Sequence, residues 1–179
     1  MELKTVIQGC LAGEAKSQRA LFEWLAPKMM TVCKRYTNDQ MEAEDVLQEG
    51  FIKLFGRMDS YTFQGSFEGW SRRLFVNTAL DHIRKEKKNK FLEDVDNPMI
   101  QIDADSFILE GLEAEHLMKL LELIPTGYRV VFNLFAIEGY SHKEIAEMLN
   151  ITESTSKSQF FRAKSFIQKK LEELNVTRY

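Results

Sequence analysis

Apolar positions along most of the chain recur every three or four residues, the period of helices with one buried face. Leu21, Phe22, Trp24 and Leu25 mark a helix over residues 14–25. Pro27 then fits the first position of the next helix, where its missing N–H costs nothing. That helix carries Met30, Val32, Cys33 and Tyr36 up to about Thr37. Residues 42–58 pack through Leu47, Phe51, Leu54, Phe55 and Met58, and their other side holds Asp45, Gln48, Glu49 and Ile52. Those four are spaced i, i+3, i+4 and i+7 and so form one surface. A helix over about 67–88 is apolar at Trp70, Leu74, Phe75, Val76, Ala79, Leu80 and Ile83. Its polar stripe is Arg73, Asn77, Asp81, Arg84 and Lys88. Further on, Leu117, Leu120, Leu121 and Ile124 form a helix stopped by Pro125. Another holds Val130, Val131, Leu134 and Phe135 and ends at Gly139, which suits the residue just past a helix. The predicted fold class is all-α.

The stretch from Ser141 to Lys164 carries the clearest punctuation. Ser141 and Glu144 have capping-box spacing, and Ile145, Ala146, Met148 and Leu149 give a short apolar face. Asn150 tolerates the left-handed backbone of a sharp turn. Thr152 can cap a second helix, whose inward positions are Ser156, Phe160, Ala163, Ile167, Leu171 and Leu174. Glu153, Ser154, Lys157, Ser158, Phe161 and Arg162 point elsewhere. This is the pattern of a helix-turn-helix, whose second helix enters the major groove. Two packed helices with no DNA to bind would show much the same pattern.

Charge divides the chain. Net charge is −3, which argues against indiscriminate coating of nucleic acid. Between Arg72 and Lys90 seven basic residues face two acidic ones, whereas from Glu93 to Glu122 nine acidic residues face Lys119 alone. Helical periodicity fails over about 91–106, where Pro98 also lies. An acidic linker over 91–111 is therefore expected between two helical domains, 1–90 and 112–179, extended by repulsion along it. In the loop SYTFQGSFEGW before the basic helix, Tyr61, Phe63 and Phe67 cannot all be buried cheaply, and Ser66 can cap that helix. Rings beside cations suit single-stranded nucleic acid, with bases stacked and phosphates tracked. A solvated helix with a few tucked rings remains open, as does a merely solvated acidic face at Asp45, Gln48 and Glu49.

Cys10 and Cys33 are too few and isolated for a disulfide framework or zinc site. His82, His116 and His142 are scattered, so no metal or cofactor is expected. There is no long apolar run and no signal pattern, so a cytoplasmic protein without membrane insertion is expected.

The order of these pieces resembles bacterial RNA polymerase sigma factors of the extracytoplasmic-function (ECF) group, which keep the second and fourth conserved regions of larger sigma factors. The resemblance rests on AEDVLQEGFIKLF (Ala43 to Phe55), FQGSFEGWSRRLFVNTALDHIRKEKK (Phe63 to Lys88), and the segment from Leu120 to Lys164. It implies a non-enzymatic, dissociable polymerase subunit that gives promoter specificity and helps open DNA. Asp45, Gln48, Glu49 and Ile52 would dock on a coiled coil of the largest catalytic subunit. The loop Phe63, Gln64, Gly65, Ser66 and Phe67, with Trp70, Arg73, Asn77, Asp81 and Arg84, would take single-stranded −10 DNA. Thr155, Lys157, Ser158, Gln159, Phe161 and Arg162 would face duplex −35 DNA. Many relatives are held by an anti-sigma partner, which the resemblance leaves open here. Where many relatives carry a valine, a basic residue, Ser and Arg, this chain has Ser156, Lys157, Ser158 and Gln159. Gln pairs with adenine where Arg reads guanine, so the relatives' −35 preference does not transfer. A stand-alone regulator binding an operator as a dimer would explain the helix-turn-helix alone. A carboxylate-pair hydrolase at Asp45 and Glu49 would lack a pocket and a His partner.

Overall fold

The computed structural model describes residues 2–86 and 119–176. The expected linker, Lys88 and Leu117 lie outside the described residues. The chain divides into two compact units, Met1–Lys88 and Asn89–Tyr179, and every described element is helical.

In the first unit α1 (Leu3–Leu11), α2 (Ala15–Tyr36), α3 (Gln40–Gly56) and α4 (Phe67–Glu86) surround one core. The sequence pattern did not single out α1, which contributes Ile7 and Cys10 to that core. The predicted break at Pro27 is corrected: Pro27 lies inside a single continuous α2. A proline there removes a backbone hydrogen bond and crowds the preceding turn. Burial on both sides of it outweighs this, since Leu21, Leu25, Met29, Val32, Cys33 and Tyr36 form one inward stripe. Asp39 caps α3 by accepting from the Glu42 N–H at 2.8 Å, while Glu42 reaches back to the Asn38 N–H, also at 2.8 Å. At Gly50 the helices α3 and α4 meet so closely that a Cβ would stand 2.2 Å from the Phe75 ring, which is itself fully buried.

The second unit begins, among described residues, with helical residues 119–122. It continues through α5 (Thr126–Phe132), a wide π turn (Asn133–Ile137), α6 (His142–Leu149) and α7 (Glu153–Val176). Leu120, Leu121, Ile124, Phe132, Ala163 and Ile167 make its core. The end of the α5 segment departs from the regular helix expected. The Glu138 N–H bonds to the Asn133 carbonyl five residues back, at 2.9 Å, and Gly139 leaves at φ 79°.

Every local signal between Ser141 and Thr152 is realised. Ser141 and Glu144 form both halves of the capping box, Asn150 turns the chain at φ 54°, and Thr152 Oγ1 accepts from the Thr155 N–H at 3.0 Å. Ser156 is fully buried and bonded to His142 Nδ1 at 2.9 Å, tying α7 to the start of α6. The His142 ring stacks on Phe135 with centroids 4.2 Å apart.

Candidate polymerase and nucleic-acid interfaces

The outer face of α3 is a stripe built by helical spacing. Asp45 and Gln48 are exposed, and Ile52 is 73% exposed. Met41, one turn before Asp45, extends the same stripe and is 70% exposed. An exposed methionine and isoleucine at its ends give the polar middle two apolar shoulders. Sequence spacing alone would have included Met41, since 41, 45, 48 and 52 share a face.

Glu49 behaves differently from its neighbours. It is half-buried and turned toward α4, pairing with Lys53 Nζ at 2.9 Å and Lys85 Nζ at 3.5 Å. Hydrogen bonding to Lys53 holds its carboxyl below the ordinary range, against the opposing effect of burial. Lys53 also reaches Asp81 at 3.3 Å, and Asp81 pairs with Arg84 at 2.8 Å. A chain of charge therefore runs from the α3 face to the polar stripe of α4.

The aromatic loop separates its rings by role. Phe67 is 2% exposed and Tyr61 8%, whereas Phe63 is 46% exposed. The sequence placed Phe67 with the DNA-facing loop; the fold puts it underneath, packed edge-on to Tyr61 at 5.0 Å and beside Trp70 at 5.5 Å. Apolar demand at the first turn of α4 draws that ring into the core. Tyr61 in turn lies against Phe63 at 5.1 Å and Trp70 at 5.5 Å, and its hydroxyl donates to the Gly65 carbonyl at 2.9 Å. Phe63 sits at φ 59°, a backbone region costly for a bulky side chain. Gln64, Gly65 and Ser66 are exposed, and Ser66 Oγ accepts from the Gly69 N–H at 3.3 Å, capping α4 as expected.

Beside these rings a cleft of about 240 Å³ opens between α3, the short turn after it and α4. Trp70, Arg73, Asn77 and Asp81 stand in its wall, as the helical spacing implied, together with Lys53 and Arg57. These two cations were missed because they lie on α3 and at its C-terminal cap, and the charge of that helix drew notice only on its other side. The i, i+4 spacing of Glu49 and Lys53 was the available signal.

On α7 the outward positions are unequal. Lys157 is exposed and pairs with Glu153 at 2.6 Å, and Ser158 Oγ donates to the Thr155 carbonyl at 2.9 Å. Thr155, Gln159, Phe161 and Arg162 are half-buried. Arg162 Nη1 donates to the Tyr128 hydroxyl at 3.1 Å, which draws it back toward α5. Gln159 Oε1 is buried and without a hydrogen-bond partner, an acceptor the fold leaves unused. No group of three or more His, Cys, Asp or Glu among the described residues could hold a metal ion.

Comparison with known proteins agrees with this layout. Residues 21–89 match Sigma-70 region 2 and residues 114–167 match Sigma-70, region 4. The chain is 28% identical to the ECF RNA polymerase sigma factor SigW of Bacillus subtilis, over 97% of this chain and 99% of that protein. It is 26% identical to the ECF RNA polymerase sigma-E factor of Escherichia coli, over 96% and 95%. Among solved structures, it resembles the sigma factor RpoE in complex with the anti-sigma factor NepR from Bartonella quintana, with TM-score 0.52 and 21% identity. That likeness covers 88% of this chain and 98% of the other. It also resembles CnrH in complex with the cytosolic domain of CnrY, with TM-score 0.50 and 18% identity over 94% and 96%. These two likenesses establish the fold.

An all-helical chain with these two regions in this order is a promoter-specificity subunit. The chain belongs to the sigma-70 family of RNA polymerase sigma factors, in its ECF group. Its partners are core RNA polymerase and promoter DNA, and it directs transcription initiation.

Proposed function

We propose that residues 1–90 dock on core polymerase and open the −10 element, and that residues 112–179 read the −35 element. Docking uses Asp45, Gln48, Glu49 and Ile52, with Met41 beside them. A polar, acidic centre against a basic helical surface gives orientation and on-rate, and the apolar shoulders add burial. The observation that carries the −10 assignment is the run of rings from Phe63 through Tyr61 to Trp70, ending in a cleft walled by Lys53, Arg73 and Asn77. A base leaving its stack can lie on Phe63 while cations hold the flanking phosphates. Phe67 then acts as the floor of the loop. On α7, Thr155, Lys157, Ser158 and Gln159 meet the groove, where Gln159 turns its buried Oε1 outward to pair with adenine. Phe161 and Arg162 complete that face.

The protein carries out no covalent chemistry in this reading: strand opening is driven by binding, which offsets a few kcal/mol of unstacking per base. It works in the cytoplasm, and an anti-sigma protein covering the same two surfaces is the expected regulator. No described helix is long and apolar enough to cross a membrane. A stand-alone operator-binding dimer is not favoured, because it leaves residues 21–89 without a purpose.

Run-off transcription from a fragmented genomic library, with core polymerase and with or without the protein, tests this reading. Start sites appear only on its addition, and Asp45→Ala with Ile52→Ala abolishes them. Retention of specific duplex fragments by the protein alone, with no initiation, would instead support the operator-binding regulator.

A further inference from the structure

The polymerase-facing and DNA-facing surfaces of the first unit are joined by a single lysine. Lys53 Nζ stands 2.9 Å from Glu49 and 3.3 Å from Asp81, and it also lies in the wall of the cleft. Glu49 holds Lys85 as well, and Asp81 holds Arg84. The group thus contains three cations and two carboxylates, so most of its positive charge is cancelled where a nucleic-acid phosphate would approach. Asp81 is explained by this arrangement. A carboxylate on a strand path would repel phosphate, but here it is the counter-charge that orients Lys53 and Arg84.

We propose that Lys53 couples polymerase docking to strand capture: a polymerase cation that engages Glu49 releases Lys53 and Lys85 toward a phosphate of the unpaired strand. The inference rests on the docking and −10 assignments above. Side chains here are 27–69% exposed, so each pair is weak and easily exchanged for another. Lys53 is held charged in the free protein. Burial acts to lower its pKa, yet its hydrogen bonds with Glu49 and Asp81 outweigh this and raise it. Asp81 is then a positioning residue, and Glu49 acts on DNA through Lys53 rather than by touching it. In the free protein the cleft is partly neutralised; on polymerase it becomes cationic.

The test uses the full chain without polymerase, a fluorescently labelled oligodeoxythymidylate, and anisotropy titrations across a range of salt. Glu49→Gln removes the masking charge with little change of shape. It is expected to tighten oligonucleotide binding about two- to fivefold at low salt. It should also steepen the salt slope by about 0.7 for each cation released to phosphate. In a Lys53→Gln background the gain from Glu49→Gln shrinks to the part due to Lys85. If Glu49→Gln changes neither affinity nor slope while Lys53→Gln or Arg73→Gln weakens binding, the coupling is overturned and the strand path stands. If neither of those two variants weakens binding, the −10 assignment falls, and the coupling with it.

Discussion

Phe63 and His142 show how much can turn on one side chain. Phe63 combines two costs, an exposed ring and a left-handed backbone, and its ring lies against Tyr61 with centroids 5.1 Å apart. Replacement by alanine is expected to leave thermal stability essentially unchanged while open-complex formation drops. A stacked base contributes about 1–3 kcal/mol, so promoter opening followed by permanganate footprinting should fall about 5- to 150-fold. The loop's involvement was legible in the sequence from its surplus of aromatics. Which ring stays outside was not, because that is decided by packing against Trp70 and the first turn of α4.

His142 has its pKa lowered, first by burial and then by the nearby charge of Lys157. The folded state therefore resists protonation more than the unfolded chain does. As pH falls below the ordinary histidine value of 6.5, the unfolded chain takes up the proton first, and stability is lost; above that value the contribution is fully present. Melting of the second unit should drop as pH falls through and below 6.5, and His142→Gln should flatten that part of the curve. If the two proteins show parallel pH profiles, His142 is not the titrating group.

Among the elements, α3 lines both proposed interfaces, and its close approach to α4 depends on Gly50. The Phe75 ring has no room to retreat, so Gly50→Ala is expected to destabilise the first unit by about 1–3 kcal/mol despite alanine's better helix propensity. Chemical denaturation followed by circular dichroism would measure this. Stabilisation instead would mean that α3 and α4 can separate without loss. Apart from α1, the helices were legible from periodicity, and the caps at Ser141 and Thr152 were legible residue by residue because they depend on local chemistry alone. Pro27 was misleading for the opposite reason. Its local preference is to start a helix, and a buried stripe running through it overrides that preference. Likewise Glu49 shared the spacing of Asp45 and Gln48, but its turn toward Lys53 and Lys85 depends on α4, thirty-odd residues away in sequence.

For the molecule as a whole, a net charge of −3 sets how it meets DNA. Phosphate contacts supply nearly all non-specific affinity, and here 27 acidic residues outnumber 24 basic ones, with Lys53, Lys85 and Arg84 paired to carboxylates. The free protein is expected to retain promoter duplex poorly at physiological salt, whereas the assembled holoenzyme retains it with start-site specificity. Filter binding with and without core polymerase would show the difference, and specific retention by the free chain would contradict it. The two-region plan was legible from the reversal of charge near residue 90. The cleft was not, since its wall is shared by residues from α3 and α4 whose meeting is a tertiary fact.

The wide turn at Asn133–Ile137 fixes a count. It takes up one residue more than an ordinary helical turn would. Wound as a regular α-helix, the same residues between Phe132 and Gly139 would carry everything after them about 100° further round the axis and about 1.5 Å farther along it. Ser141 would then no longer lead His142 onto Phe135 and Ser156. The length of this segment, a quantity that no side chain records, aims α7 as surely as the residues α7 presents.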